Sequence, residues 1–276
     1  MSITKALLLT FLLIIIFLLV QIGVLGLMEL FEQPISLSNP HQKWVSKILG
    51  FVISYLVLFK IFWKVEVPIK VNFKLNKYKI SILIYLIIAS IGIELLYQLF
   101  FDINKLMEFY NNGYLNLEKE SYSINQIDLL YQFVTVIFIT PLLEELFFRK
   151  FLISKLLKKN SIITSILISG SCFAIIHIET PVNLIPSFLF GILSGLIFIK
   201  TGKILYSIFF QILMNSYYLI FLINASNYND WIYSLNFNYI YWSLIFLGSI
   251  LTFVGMKKIT TANNGSSQIT GFAEKV

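Results

Sequence analysis

Residues 141–150 read PLLEELFFRK, and how this stretch is read decides what kind of molecule the chain is. Glu144 and Glu145 stand side by side in a run that carries no other charge from Phe133 to Phe148. Arg149, the only arginine among 21 basic residues, follows Glu145 by one helical turn. In water such a pattern is unremarkable. Inside a bilayer each carboxylate costs at least a few kcal/mol, and a residue kept at that cost marks function.

Composition decides for the bilayer. The 276 residues are 58% hydrophobic and 13% charged, with a mean hydropathy of +0.82. A soluble domain would carry charge on roughly a quarter of its residues. Apolar runs of about 20 residues recur instead, the length that crosses a bilayer as a helix. Eight spans are expected, at about 6–28, 45–63, 80–101, 128–148, 161–178, 185–199, 204–223 and 239–256. The fold class is therefore all-α, a polytopic transmembrane helical bundle. Cys172, the single cysteine, lies within a run and reads as small-residue packing.

Working outward, the lysines give topology. The loop 64–79, the segment 149–160, Lys200, Lys203 and the Lys257–Lys258 pair fall on one side, together with Lys5, Lys60 and Lys275. Only Lys43, Lys47, Lys105 and Lys119 fall on the other, beside the acidic loop 102–128. The positive-inside rule then puts both termini in the cytoplasm. With the basic residues spread over short loops, the +7 formal charge does not imply nucleic-acid binding. The chain divides into residues 1–125 (three spans and an outer loop), a polar-bearing core at 126–224, a last loop and span at 225–258, and a tail from 259 that reads as disordered. The long loop 102–127 has the composition of a surface helix or a substrate lip.

Several spans carry polar side chains at helical spacing. Phe173 and His177, and Gln211 and Asn215, are i, i+4 pairs that share a helix face, and the third span has Glu94. If the helix of Glu144 runs on to a turn near residue 160, then Glu144 and His177 lie some 24–26 Å from that turn at about 1.5 Å per residue. One interior site is thus geometrically allowed. A desolvated Glu144 can take a proton from a bound water and pass it on. Arg149 can hold Glu145 ionised, His177 can orient the water or steady an oxyanion, and the Asn215 amide can donate to that oxyanion. The small-residue stripe Ser187, Gly191, Gly195 reads as close helix packing.

At these residues the sequence resembles the CPBP family of intramembrane proteases, which takes in CAAX prenyl endopeptidases and bacterial Abi proteins linked to bacteriocin immunity. Its pattern is EExxxR, FxxxH and HxxxN on successive helices. Glu144-Glu145-Leu-Phe-Phe-Arg149, with Pro141 before it, matches the first, and Phe173 to His177 the second. In the third, Gln211 stands where the family has histidine, followed by Asn215. The resemblance covers about 126–224. It implies Glu144 as the base that activates water, Glu145 and Arg149 as residues that position or polarise the site, and His177 and Asn215 as stabilisers of the tetrahedral intermediate. Phe173 and Gln211 are further candidates for positioning or oxyanion contact.

The family has been described both as metal-dependent and as metal-free. A zinc ion here would fall to Glu144 and His177, whereas a typical zinc site takes three protein ligands. Glutamine neither shuttles a proton nor binds zinc well, so no cofactor is assigned. Three functions stay open: an endopeptidase acting on a membrane-associated peptide or protein, a non-hydrolytic Abi-type scaffold for a partner membrane protein, and a proton-coupled transporter using Glu94, Glu144 and His177. The Ile, Lys, Asn and Phe bias points to an AT-rich genome and a bacterial plasma membrane.

Overall fold

Hydrophobic runs with few internal breakers fold as helices here, and the breakers set where they end. The computed structural model describes residues 1–31, 39–63, 79–99, 103–113, 125–180 and 183–261. Among them every regular element is helical: α1 (Ile3–Phe31), α2 (Pro40–Phe62), α3 (Ile80–Leu99), α4 (Ile103–Asn112), α5 (Gln126–Leu156), α6 (Ile162–Ile175), α7 (Leu184–Thr201), α8 (Ile204–Ile223), α9 (Ala225–Leu235) and α10 (Tyr239–Thr261). Seven of these (α1, α2, α3, α5, α7, α8 and α10) are long and apolar enough to cross a membrane. The chain is a multi-pass membrane protein. Large apolar side chains stay exposed along the outer helices, Leu8, Phe11, Leu19 and Ile22 on α1 among them, as a lipid-facing surface requires.

Two expected boundaries move. The fourth span does not stop at 148; α5 runs through to Leu156, 31 residues in all. Arg149 does not end it, because that charge is buried and paired within the helix. The fifth span, expected to 178, is only the 14-residue α6. Ser161 caps its start by accepting from the Thr164 amide. Its end comes before Glu179 and Pro181, and the residue before a proline disfavours helix. His177 consequently sits in the turn beyond α6 rather than on it.

The connection at 102–127 contains α4, in keeping with the surface-helix reading, while α9 in the last loop was not foreseen. The expected tail begins later than 259, since α10 continues to Thr261 with Ile259 fully buried. The lysine loop up to 78, residues 114–124 and the tail beyond 261 lie outside the described residues.

Close crossings hold the bundle together. A Cβ on Gly191 would stand 2.7 Å from the Gly170 Cα, so α6 and α7 touch backbone to backbone. On α3, a Cβ at Gly92 would meet the Thr252 nitrogen of α10 at 2.5 Å. Such contact is how membrane helices gain van der Waals energy where lipid removes the hydrophobic drive. Gly202, with φ of +66°, makes the left-handed cap between α7 and α8 and donates its N–H to the Phe198 carbonyl at 2.8 Å.

Candidate active site

The site grows from the irregularity of α5. Pro141 has no N–H to give, and the helix meets this by widening. Residues Thr135–Ile139 form π-helical turns, with the Thr140 amide bonding back five residues to Thr135. In that register the carbonyl of Val136 would look to residue 141 for a donor, and proline supplies none. The side chain of Asn215 on α8 fills the role, its Nδ2 donating to the Val136 carbonyl at 2.5 Å. A second π-helical segment, Leu146–Ile153, follows the glutamates. Such bulges often accompany functional sites.

Between the two bulges α5 presents Glu144 and Glu145, and the second bulge carries Arg149, all three of them buried. Glu144 is 2% exposed, and Glu145 and Arg149 are fully buried. Glu145 pairs with Arg149 across one turn, Oε1 to Nη2 at 3.1 Å. Its other oxygen, Oε2, accepts from the Ser194 hydroxyl at 2.8 Å. The Gly170–Gly191 contact draws α7 in beside α6, and Ser194 lies one residue short of Gly195 in the same stripe. Phe148, Phe173 and Phe190 enclose the guanidinium, with its carbon 4.7 Å from the Phe173 ring centre. Rings at this range stabilise a desolvated cation by about 2 kcal/mol.

Phe173 also packs against His177, ring centres 4.8 Å apart, and so bridges the arginine and the histidine. That is the physical content of the Phe-to-His spacing. The His177 Nδ1 lies 2.9 Å from the Phe173 carbonyl. A carbonyl can only accept, so Nδ1 carries the proton, and Nε2 of the neutral ring is an acceptor. The Ser169 hydroxyl donates to the Phe148 carbonyl at 3.0 Å, which fixes the register of the α5–α6 hairpin. Stepping outward from that contact sets Phe173 across from Glu144 and His177 about one turn further along. The equal depth expected for Glu144 and His177 is therefore off by roughly 6 Å.

Gln211 reaches Glu144 directly: its Nε2 donates to Oε2 at 2.6 Å, and it is 3% exposed. All seven residues singled out in the sequence thus lie on α5, α6 with its following turn, and α8, and direct contacts tie them into two sets. One set is Glu145, Arg149, Phe173 and His177. The other is Glu144 with Gln211. Asn215, expected at the oxyanion, spends its amide on backbone instead. Glu94 is buried on α3, three residues before the half-buried Tyr97, whose hydroxyl donates to the Pro186 carbonyl at 2.6 Å.

Two residues were missed. Ser194 lacked a signal beyond its place next to the stripe. Tyr55, on α2, is 1% exposed, and its hydroxyl has no hydrogen-bond partner. Its ring stands against Phe147, three residues past Glu144 on α5. A phenol in the middle of an apolar span beside Ser54 was the available clue.

The donor set does not fit a zinc ion. Among the described residues no three His, Cys, Asp or Glu side chains gather as a metal group requires. Gln211 and Asn215 are amides already engaged by Glu144 and Val136.

Comparison with protein families matches residues 126–217 to the type II CAAX prenyl endopeptidase Rce1-like family. Residues 126–217 are Rce1-like. This is the protease family anticipated from the three motifs, and all seven motif residues fall within the matched segment. No curated protein and no solved structure matches the chain. The Rce1-like segment begins with α5 and ends within α8, so Tyr55 lies outside it.

Proposed function

We propose that the chain is an intramembrane endopeptidase in which Glu144 activates water. One observation carries this reading: the two adjacent carboxylates are differently held. Glu145 is locked by Arg149 and Ser194, whereas Glu144 is steadied by the neutral amide of Gln211. Environments that separate two neighbouring carboxyl groups assign them different tasks. The water oxygen attacks the scissile carbonyl carbon while Glu144 takes one of its protons. An oxyanion forms, the C–N bond breaks, and Glu144 returns the proton to the departing nitrogen. The products are a carboxylic acid and an amine. His177, with Nε2 as acceptor, orients the attacking water. Arg149 supplies a fixed positive charge beside the developing negative one.

Membrane-associated peptides or proteins suit this site. Between α5 and α8 runs an apolar groove of about 490 Å³, lined by Leu129, Phe133, Ile137, Leu219 and Ile223. It passes one residue from both partners of the Val136–Asn215 contact, through Ile137 and Ser216. The family match supports a prenylated CAAX sequence as the first substrate to try. Lysine distribution supports cytoplasmic termini, and the Ile, Lys, Asn and Phe bias supports a bacterial plasma membrane.

A non-hydrolytic scaffold for a partner protein is the second reading. The observation favouring it is that Gln211 stands bonded to Glu144, with no imidazole at that position. The test is a quenched fluorogenic, prenylated CAAX peptide offered to the purified protein in detergent, with Glu144→Gln and His177→Ala beside it. The hydrolase reading expects wild-type cleavage, insensitivity to chelators, and a loss of at least about 10²-fold in each variant. Equal cleavage by all three proteins would end it.

A further inference from the structure

The proposed reaction needs donors for an oxyanion, and the two side-chain amides expected to serve are committed elsewhere. Asn215 Nδ2 donates to Val136, and Gln211 Nε2 donates to Glu144. The buried donors near the glutamates that make no hydrogen bond are the Tyr55 hydroxyl and the guanidinium nitrogens of Arg149, one of which is ion-paired. A buried hydroxyl with no partner costs roughly 1–3 kcal/mol, and a native structure rarely bears that without a use.

Tyr55 is well placed to have one. Its ring stands edge-on to Phe147 at 5.7 Å, and Phe147 lies just past the two glutamates on α5. Phe51 and Phe59, one turn either side on α2, pack on the same ring at 4.8 and 6.1 Å and fix its direction. Phe147 follows Glu144 by three residues, so Tyr55 stands beside the face of α5 that carries Glu144. No other residue of α2 or of the N-terminal helices brings an unpartnered polar atom to this point among the described residues.

We propose that Tyr55 is a catalytic residue of this site, its phenolic O–H donating to the oxyanion formed when the Glu144-activated water adds to the peptide carbonyl. The hydroxyl keeps its proton throughout; it donates a hydrogen bond that strengthens as charge builds on the former carbonyl oxygen. The proposal rests on the hydrolase reading above, and it extends the site to a helix outside the Rce1-like segment. It also accounts for an amide at position 211: with Tyr55 as donor, Gln211 need only hold Glu144.

The test compares wild type, Tyr55→Phe and Glu144→Gln as full-length protein in detergent on the quenched prenylated peptide. Tyr55→Phe is expected to lower kcat by about 10²-fold, the usual effect of losing one oxyanion donor, with KM within about twofold. Its melting temperature stays level or rises, since the substitution removes only a buried hydroxyl. Unchanged kcat in Tyr55→Phe alongside an inactive Glu144→Gln overturns the proposal and leaves the hydrolase reading standing. Full activity in Glu144→Gln removes that reading, and this proposal with it. A second measurement needs no turnover. The melting shifts of Tyr55→Phe, Glu144→Gln and the double variant are expected to depart from additivity by about 2 °C or more, because neighbouring groups of one buried site couple. Additive shifts overturn the proposal whether or not the peptide is cleaved.

Discussion

Replacing Arg149 by methionine isolates the buried ion pair of α5. The ion pair with Glu145 spans 3.1 Å with both side chains fully buried. At an effective dielectric constant of about 20 a pair at that distance attracts by roughly 5 kcal/mol. Without the arginine, Glu145 keeps the Ser194 hydroxyl, worth about 1.5–3 kcal/mol as a hydrogen bond to a charged group. The variant also loses the stacking of the guanidinium on Phe173. Stranding one member of a buried pair typically costs about 3–5 kcal/mol, and these contacts place Arg149→Met in that range. At about 2–4 °C per kcal/mol for a chain of this size, the midpoint should fall by roughly 6–20 °C. The assay is thermal unfolding in one detergent at one scan rate. The partner measurement is the double variant Glu145→Gln with Arg149→Met, which removes both charges and should recover more than half of that loss. A single variant that melts within about 2 °C of wild type would refute the reasoning. So would a double variant that melts lower than the single.

Two further outcomes follow from contacts at the site's edge. If Glu144 carries the proton in both directions, then Gln211→His should change kcat by less than about tenfold; a rise near 10²-fold, the scale of added acid–base catalysis, would show the natural residue to be limiting and favour the scaffold reading. Gly191→Ala puts a methyl carbon 2.7 Å from the Gly170 Cα, so α6 and α7 must part; a loss of about 1–3 kcal/mol in thermal unfolding is expected, and an unchanged midpoint would show that the crossing yields freely.

How much of this was legible in the sequence depends on the range of each signal. Apolar runs and lysine-bearing loops are local, so the helices were readable to within a few residues, except where burial overrode a local cue. Arg149 looked like the end of a span, yet its partner one turn away keeps it inside the helix. The motif residues were readable because each pair is spaced i, i+4 in sequence, although His177 falls in the turn just past its helix. The contacts between helices were not. Gln211 against Glu144 is 67 residues apart in sequence, and Asn215 against Val136 is 79. Tyr55 was hard to place for the same reason: the phenol stands out beside Ser54, but nothing near it in sequence says which helix α2 will face, and its value comes only from Phe147 across the interface.

Pro141 and Asn215 show how such distant residues come to act as one. A proline in the middle of a membrane helix removes a hydrogen bond where water cannot replace it, and a free carbonyl there costs several kcal/mol. The chain widens α5 around Thr135–Ile139, which re-pairs the Thr140 amide, and closes the remaining gap with the Asn215 side chain. That single bond seats α8 against α5 at a fixed height. Gln211 is one turn earlier on α8 and Glu144 is three residues past Pro141, and the same height brings the two into contact at 2.6 Å. The asparagine thus acts through the backbone: it sets the depth at which α8 offers its amide to the carboxylate. A donor for the oxyanion then has to come from another helix, and α2 supplies the one buried hydroxyl there that the rest of the described structure leaves unpaired.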